Sequence, residues 1–265
     1  MRRATPEAPS GLREGRAAGR EPATPASDAA ASARGPNVAP LSPLRDATKV
    51  KPLALAILGA VAFRAACYDA MTAAAVWAER RPAPGGLPDV LLTALPYVEG
   101  VARSNYLLWL AVYLPLTLAF LATEPRRWTR YMVTGGLVSL ARGLTIVVTG
   151  LGPPDAGSGI PAGANAFDVW LQLISPWSVF AHGSAQAYLT KDLFFSGHTA
   201  TTFLLVLYLW PRPRLRWIAL AAHLVVAASV LLARIHYSID VVGAWAMTFA
   251  IFALREWRPA ATSPR

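Results

Sequence analysis

Two short stretches of the sequence crowd together residues able to do acid–base and nucleophilic chemistry. The first reads Lys191-Asp192-Leu193-Phe194-Phe195-Ser196-Gly197-His198-Thr199, and the second Arg234-Ile235-His236-Tyr237-Ser238-Ile239-Asp240. In the first, Ser196 is suited to cap a helix, and Gly197 lets a ligand approach the backbone. The free N–H groups of such a helix start form an anion site, with His198 in its first turn. In the second, His236 and Asp240 are four apart and would share one helix face. A carboxylate beside an imidazole fixes its tautomer and stabilises its charged form, which makes a positioned nucleophile or base. Two histidines, an aspartate, an anion-binding helix start and basic neighbours suggest phosphoryl chemistry. One histidine attacks phosphorus, the aspartate orients it, the other histidine protonates the leaving oxygen, and cations offset the charge that builds up. A helix-end ion pair is the structural reading of His236 and Asp240. A metal pair is a third, but no further His/Asp/Glu cluster completes the ligand set, so no metal and no cofactor is expected.

The elements that must position these residues belong to a membrane. The 265-residue chain is 54% hydrophobic and 15% charged, with mean hydropathy +0.38. Soluble domains run at about 45–50% apolar and roughly 25% charged. Cys67 is the only cysteine, which excludes an internal disulfide and a Cys-type zinc site. A net charge of +10 on a soluble protein would point to nucleic acid. On a chain this apolar it reads as arginine in cytoplasmic loops, with no nucleic-acid partner. The arginine-, alanine- and proline-rich background suggests a GC-rich bacterial source.

Residues 1–51 carry nine basic and five acidic residues, seven prolines and few large apolar side chains, and read as a disordered basic tail. Residues 52–256 read as a membrane domain and 257–265 as a C-terminal tail. A span needs roughly 20 predominantly apolar residues. Six candidates follow: about 53–78, 105–123, 131–151, 196–210, 216–234 and 239–254, all helical because lipid leaves an open chain no other way to satisfy its backbone. The fold expected is all-α, a six-span polytopic membrane protein. Arginines at 126, 127, 130, 212, 214, 216 and 255 place the second and fourth breaks and both termini in the cytoplasm. Both histidine clusters then face the periplasm or exterior, and the membrane is a bacterial inner membrane. Arg142 lies inside the third span. Charges there tend to face the bundle interior, so it is a candidate phosphate or head-group contact, with an interhelical ion pair as the rival. His223 is expected to hydrogen-bond a neighbouring helix. His182 is expected to be solvated in the long outer loop, where Trp170, Trp177 and Phe180 suit the interface.

Ser196-Gly197-His198-Thr199 followed by His236-Tyr237-Ser238-Ile239-Asp240 resembles the sphingomyelin synthase branch of the type 2 phosphatidic acid phosphatase superfamily. Thr190-Lys191-Asp192 stands where that branch has Cys-Gly-Asp, with the same three-residue gap. Gly86-Leu87-Pro88-Asp89 is similar to its Pro-Leu-Pro-Asp motif with one change. Arg130 and Arg142 fit the spacing of its paired arginines, although Thr129, Ser139 and Ile146 depart from the residues around them. Leu231 stands where the phosphatase-type members have a phosphate-gripping arginine. The resemblance covers about 86–240. It implies His236 as nucleophile through a phosphohistidine-type intermediate, Asp240 as its orienting group, and His198 as acid to the leaving alcohol and base to the incoming one. Lys191, Asp192, Arg142, Ser196, Gly197, Asp89 and Tyr237 are the candidate substrate-binding residues. Membrane lipids are the implied donor and acceptor. The implied activity moves a phospho-head group from a glycerophospholipid to a ceramide- or diacylglycerol-like alcohol. A lipid phosphate or diphosphate phosphatase is the second reading. A non-enzymatic protein that keeps the fold is a third, and predicts that His198→Ala and His236→Ala are harmless.

Overall fold

A computed structural model of the chain describes residues 47–82, 85–154, 163–175 and 189–256. The expected N-terminal tail, apart from 47–51, lies outside the described residues, as do residues 257–265, His182, Trp177 and Phe180. Among the described residues the fold is all-helical: α1 (Ala47–Glu79), α2 (Val90–Ala94), α3 (Glu99–Thr123), α4 (Pro125–Thr149), α5 (Ala166–Ile174), α6 (Gly197–Leu209), α7 (Pro213–Leu232) and α8 (Ser238–Glu256). Five of these, from Pro52–Glu79 to Ser238–Glu256, are long and apolar enough to cross a membrane. Large apolar side chains stand outward along them, such as Leu55, Leu58, Leu144, Val148 and Leu254. A soluble monomer rarely exposes contiguous apolar patches beyond a few hundred Å². The chain is an integral membrane protein.

The sixth expected span is α6, at 13 residues shorter than the other five. Its two ends nevertheless meet both ends of α8. At one end the Ser196 N–H donates to the Asp240 carbonyl (3.1 Å), and at the other the Tyr208 hydroxyl donates to Glu256 (2.7 Å). The central core packs Phe120, Tyr131, Leu204, Leu205, Tyr208 and Ala244 between α3, α4, α6 and α8.

Several boundaries differ from the sequence reading. Helix α4 starts at Pro125, not near 131, because proline at the first helical position lacks only an N–H that would be unpaired anyway. The arginines at 126, 127 and 130 therefore lie on the helix. Two short helices, α2 and α5, occupy breaks read as loops. Each is started by a side-chain cap, Asp89 onto Leu91 and Leu92, and Asn165 onto Phe167.

The most extensive contact between helices is α1 on α4. It depends on small residues. A Cβ at Gly143 would lie 3.1 Å from the Met71 Cα, and one at Gly136 would lie 2.7 Å from the Phe63 ring. The Gly143 neighbour is backbone and cannot swing away. We expect Gly143→Val to force the helices apart at a cost of about 1–3 kcal/mol, read as a lowered thermal midpoint in detergent. Gly100→Val, where nothing lies within 4 Å, is the control expected to leave it unchanged.

Candidate active site

Cross-helix hydrogen bonds sort the bundle into two ends. Glu124, Arg130, Arg212 and Glu256 meet at one, with Arg130 paired to Glu256 and Arg212 to Glu124. The starts of α6 and α8 meet at the other, and both histidine motifs lie there.

His236 precedes α8 and is not on it; the helix begins at Ser238. The expected shared helical face does not form, yet the contact does. Asp240 occupies the third position of α8 and reaches back, so that its Oδ2 accepts from the Tyr237 N–H (3.0 Å). This is the carboxylate half of a capping box. The same oxygen lies 3.1 Å from His236 Nδ1. Asp240 is fully buried and His236 is 4% exposed. An ionised carboxylate only accepts, so the Nδ1 nitrogen carries the proton. Nε2 is left with its lone pair, the form a nucleophilic imidazole needs.

Ser196 caps α6, its Oγ accepting from the Thr199 N–H. His198 stands in the first turn, half-buried, with Trp109 and Tyr106 of α3 edge-on at 5.3 and 6.2 Å between ring centroids. The Ser196–Asp240 backbone hydrogen bond joins the two motifs directly.

Arg142 is 6% exposed and reaches the segment before α6. Its Nε–H donates to the Phe195 carbonyl (2.7 Å), and its Nη2 donates to the Asp192 carbonyl (2.6 Å) and Oδ2 (2.7 Å). Nη1 points at Met71 Sδ (3.1 Å). A Cβ at Gly197 would lie 3.2 Å from Arg142 Nε, so the group that approaches this glycine closely is the guanidinium. Lys191 faces away from Arg142; its Nζ donates to the Glu79 and Arg81 carbonyls at 2.7 Å each, at the C-terminal end of α1.

Asp89 and Tyr237 fasten the first loop to the second histidine motif. Asp89 Oδ2 accepts from the Ser238 N–H (2.6 Å), while Oδ1 caps α2. The Tyr237 hydroxyl accepts from the Leu87 N–H and donates to the Gly152 carbonyl. A mostly apolar cavity of about 500 Å³ lies beside them, lined by residues that include Leu87, Leu91, Ala94 and Ile239. Partial burial pushes the Asp89 carboxyl up, but the N–H groups of Ser238, Leu92 and Leu91 more than offset it and hold it below the ordinary carboxylate range. A lowered folded-state value means the contact contributes stability above the unfolded pKa of about 3.9 and loses it as pH falls through the lower value. We therefore expect hydrogen exchange at the Ser238 amide, after correction for intrinsic rates, to keep its protection down to about pH 4. In Asp89→Ala that protection should be lost at every pH.

His223 is held between helices. The Trp245 indole donates to its Nε2 (2.8 Å), and its Nδ1 lies 2.9 Å from Thr202 Oγ1. An indole only donates, so His223 is neutral with its proton on Nδ1. Among the described residues no group of three or more His, Cys, Asp or Glu gathers as a metal site.

Fold and site together describe a helical membrane protein with two histidines and a buried carboxylate at one end of the bundle. Residues 191–257, roughly a quarter of the chain, match the family model described as PAP2 superfamily C-terminal. The match spans both histidine motifs and supports placement in the type 2 phosphatidic acid phosphatase superfamily. It supports with that a lipid phosphatase or phosphotransferase type of activity. No curated protein matches the chain.

Proposed function

We propose that the protein is a lipid phosphotransferase that moves a phospho-head group from a glycerophospholipid to a lipid alcohol, a ceramide or diacylglycerol. The observation that carries this reading is the Ser196–Asp240 hydrogen bond, which brings the helix start bearing His198 against the His236–Asp240 pair. His236 Nε2 attacks phosphorus and the bond to the diacylglycerol oxygen breaks. His198 gives that oxygen a proton. The head group remains on His236 as a phosphoramidate. His198 then takes the proton of the acceptor hydroxyl, whose oxygen attacks phosphorus and restores free His236.

The charge count favours a diester donor. Arg142 has five N–H donors, and four are engaged by Phe195, Asp192 and Met71. Its charge is matched by Asp192 at 2.7 Å. A phosphodiester brings one negative charge to such a site, and a phosphomonoester close to two. The family match favours the second reading, hydrolysis of a lipid phosphate, since the superfamily description is phosphatase-type.

In this reading Arg142, Asp192, Lys191, Ser196, Gly197, Asp89 and Tyr237 shape or border the donor site. The excess of arginine at the opposite end of the bundle supports a cytoplasmic position for that end and for both termini. The site then faces the periplasm or exterior of a bacterial inner membrane, and donor and acceptor enter from the lipid.

The test uses purified protein in liposomes. Phosphatidylcholine and phosphatidylethanolamine labelled in the head group are supplied with and without ceramide or diacylglycerol, beside phosphatidic acid and a lipid diphosphate. A new labelled lipid that requires the acceptor is the expected result. Free phosphate from phosphatidic acid, indifferent to acceptor, would establish the hydrolase instead.

A further inference from the structure

The segment that leads into His198 is held from two sides. Arg142 and Thr145 of α4 hold its second half: the Thr145 hydroxyl donates to the Phe194 carbonyl (2.6 Å) beside the Arg142 contacts to Phe195 and Asp192. Its first half is held by a residue outside every motif above. Glu79, the last residue of α1, is 6% exposed. Its Oε2 accepts from the backbone N–H groups of Thr190 and Lys191 at 2.9 Å each, and its Oε1 accepts from the Thr190 hydroxyl. The Lys191 ammonium closes the loop by donating to the Glu79 carbonyl. The end of α1 is itself fixed, because Arg81 donates to the Val147 and Ile146 carbonyls at the end of α4.

We propose that Glu79 is a positioning residue for the transfer reaction: by holding Thr190 and Lys191 it keeps Asp192 on Arg142, and so sets the start of α6 that aims His198 at the leaving oxygen. The inference rests on the two-histidine reading of the site. Glu79 holds no proton in the reaction; its work is to accept three hydrogen bonds from a segment that Lys191 and the neighbouring Leu189 side chain also hold to α1. Charge is therefore dispensable. A glutamine can accept both backbone N–H groups through its amide oxygen, and its NH2 can donate to the Thr190 hydroxyl. A leucine of similar size leaves two partly buried N–H groups without acceptors.

The experiment separates positioning of an acid from loss of folded protein. It uses two forms of the same short-chain phosphatidylcholine or phosphatidylethanolamine, whichever is the donor. One is natural, and in the other sulfur replaces the bridging oxygen of the diacylglycerol. An alkoxide leaving group needs the proton from His198; a thiolate does not. Release of the first equivalent of diacylglycerol or thiol is followed without acceptor. Glu79→Leu should slow the oxygen donor on the order of 100-fold, the scale of a misplaced group near 1 Å. It should leave the sulfur donor within about threefold, because no general acid is needed there. Glu79→Gln should stay within about threefold on both, since its hydrogen bonds survive. Should Glu79→Leu fail to fold, Thr190→Val should give the same contrast with smaller amplitude.

Equal loss on both donors in Glu79→Leu would overturn the proposal, because that pattern reports fewer folded molecules. An inactive Glu79→Gln would overturn it too, since it would require the charge. His236→Ala runs beside these. If it still released the leaving group from either donor, the two-histidine reading would fail by itself, whatever Glu79 did.

Discussion

His236→Ala should abolish release of the lipid alcohol and formation of any covalent phosphoenzyme. The loss expected is on the order of 10⁴-fold or more, the scale seen when a member of a nucleophile–base–orienter set is removed. The argument starts from the tautomer. Asp240 is fully buried, and its Oδ2 is shared by the Tyr237 N–H and His236 Nδ1. On the proposed mechanism this leaves Nε2, with its lone pair free, as the attacking nitrogen. The intermediate would be a phosphoramidate, whose P–N bond survives alkali and breaks in acid. Protein incubated with head-group-labelled donor and no acceptor, then denatured, should carry label with that stability. Label that resisted acid and was lost in alkali would point to an ester on a hydroxyl side chain and sink the histidine assignment. Asp240→Asn provides the finer test. An asparagine amide can donate to Nδ1 and so hold the proton on Nε2. That tautomer is unreactive, and a loss on the order of 10³–10⁴ is expected with little change in fold. His198→Ala should behave differently. It should spare a donor with a thiolate leaving group and disable one with an alkoxide.

The two histidine motifs were legible because each is local. Ser196 as a cap and His236 with Asp240 are patterns within five residues, and a helix start accounts for both. The reason His236 meets Asp240 was not legible in detail: i, i+4 spacing suggested one helical face, whereas a capping turn makes the contact, with His236 outside the helix. Arg142 could be read as an interior charge from its place in an apolar span, but its partner could not. Asp192 lies 50 residues away, and although its place in the first motif marks it for the site, nothing there says that it pairs with Arg142. Lys191 beside Asp192 reads as a substrate-binding candidate in sequence. In three dimensions the carbonyls of Glu79, the last residue of α1, and of Arg81 just beyond it take its ammonium, in keeping with the preference of a helix C-terminus for cations. Glu79 carried no signal at all, since a glutamate at the end of a span looks like an interfacial charge until the chain returns to it more than a hundred residues later. The span count shows a related limit. Window hydropathy finds the five long helices, while α6, at 13 residues, falls short of a span by length.

Arg142→Met should be the most destabilising single change at the site, and its pattern separates structure from chemistry. The side chains of Arg142 and Asp192 are 7% and 22% exposed, so the pair is not a screened surface bridge. Removing the guanidinium strands the Asp192 carboxylate and two backbone carbonyls, those of Asp192 and Phe195. Breaking one side of a buried pair costs about 3–5 kcal/mol. At roughly 2–4 °C per kcal/mol for a domain of this size, the thermal midpoint should fall by about 10 °C. Asp192→Asn should cost much less, because its side-chain oxygen can still accept from Nη2 and both carbonyl contacts remain. The double variant Arg142→Met with Asp192→Leu decides the rest. Replacing both partners of a buried pair by apolar groups is often neutral for stability, so much of the lost midpoint should return. Activity should not return with it, because the Phe195 carbonyl still lacks its donor and the start of α6 is still unanchored on that side. A double variant that recovered both stability and turnover would assign Arg142 and Asp192 to packing alone. The chemistry would then have to be carried by His198, His236 and Asp240 without Arg142.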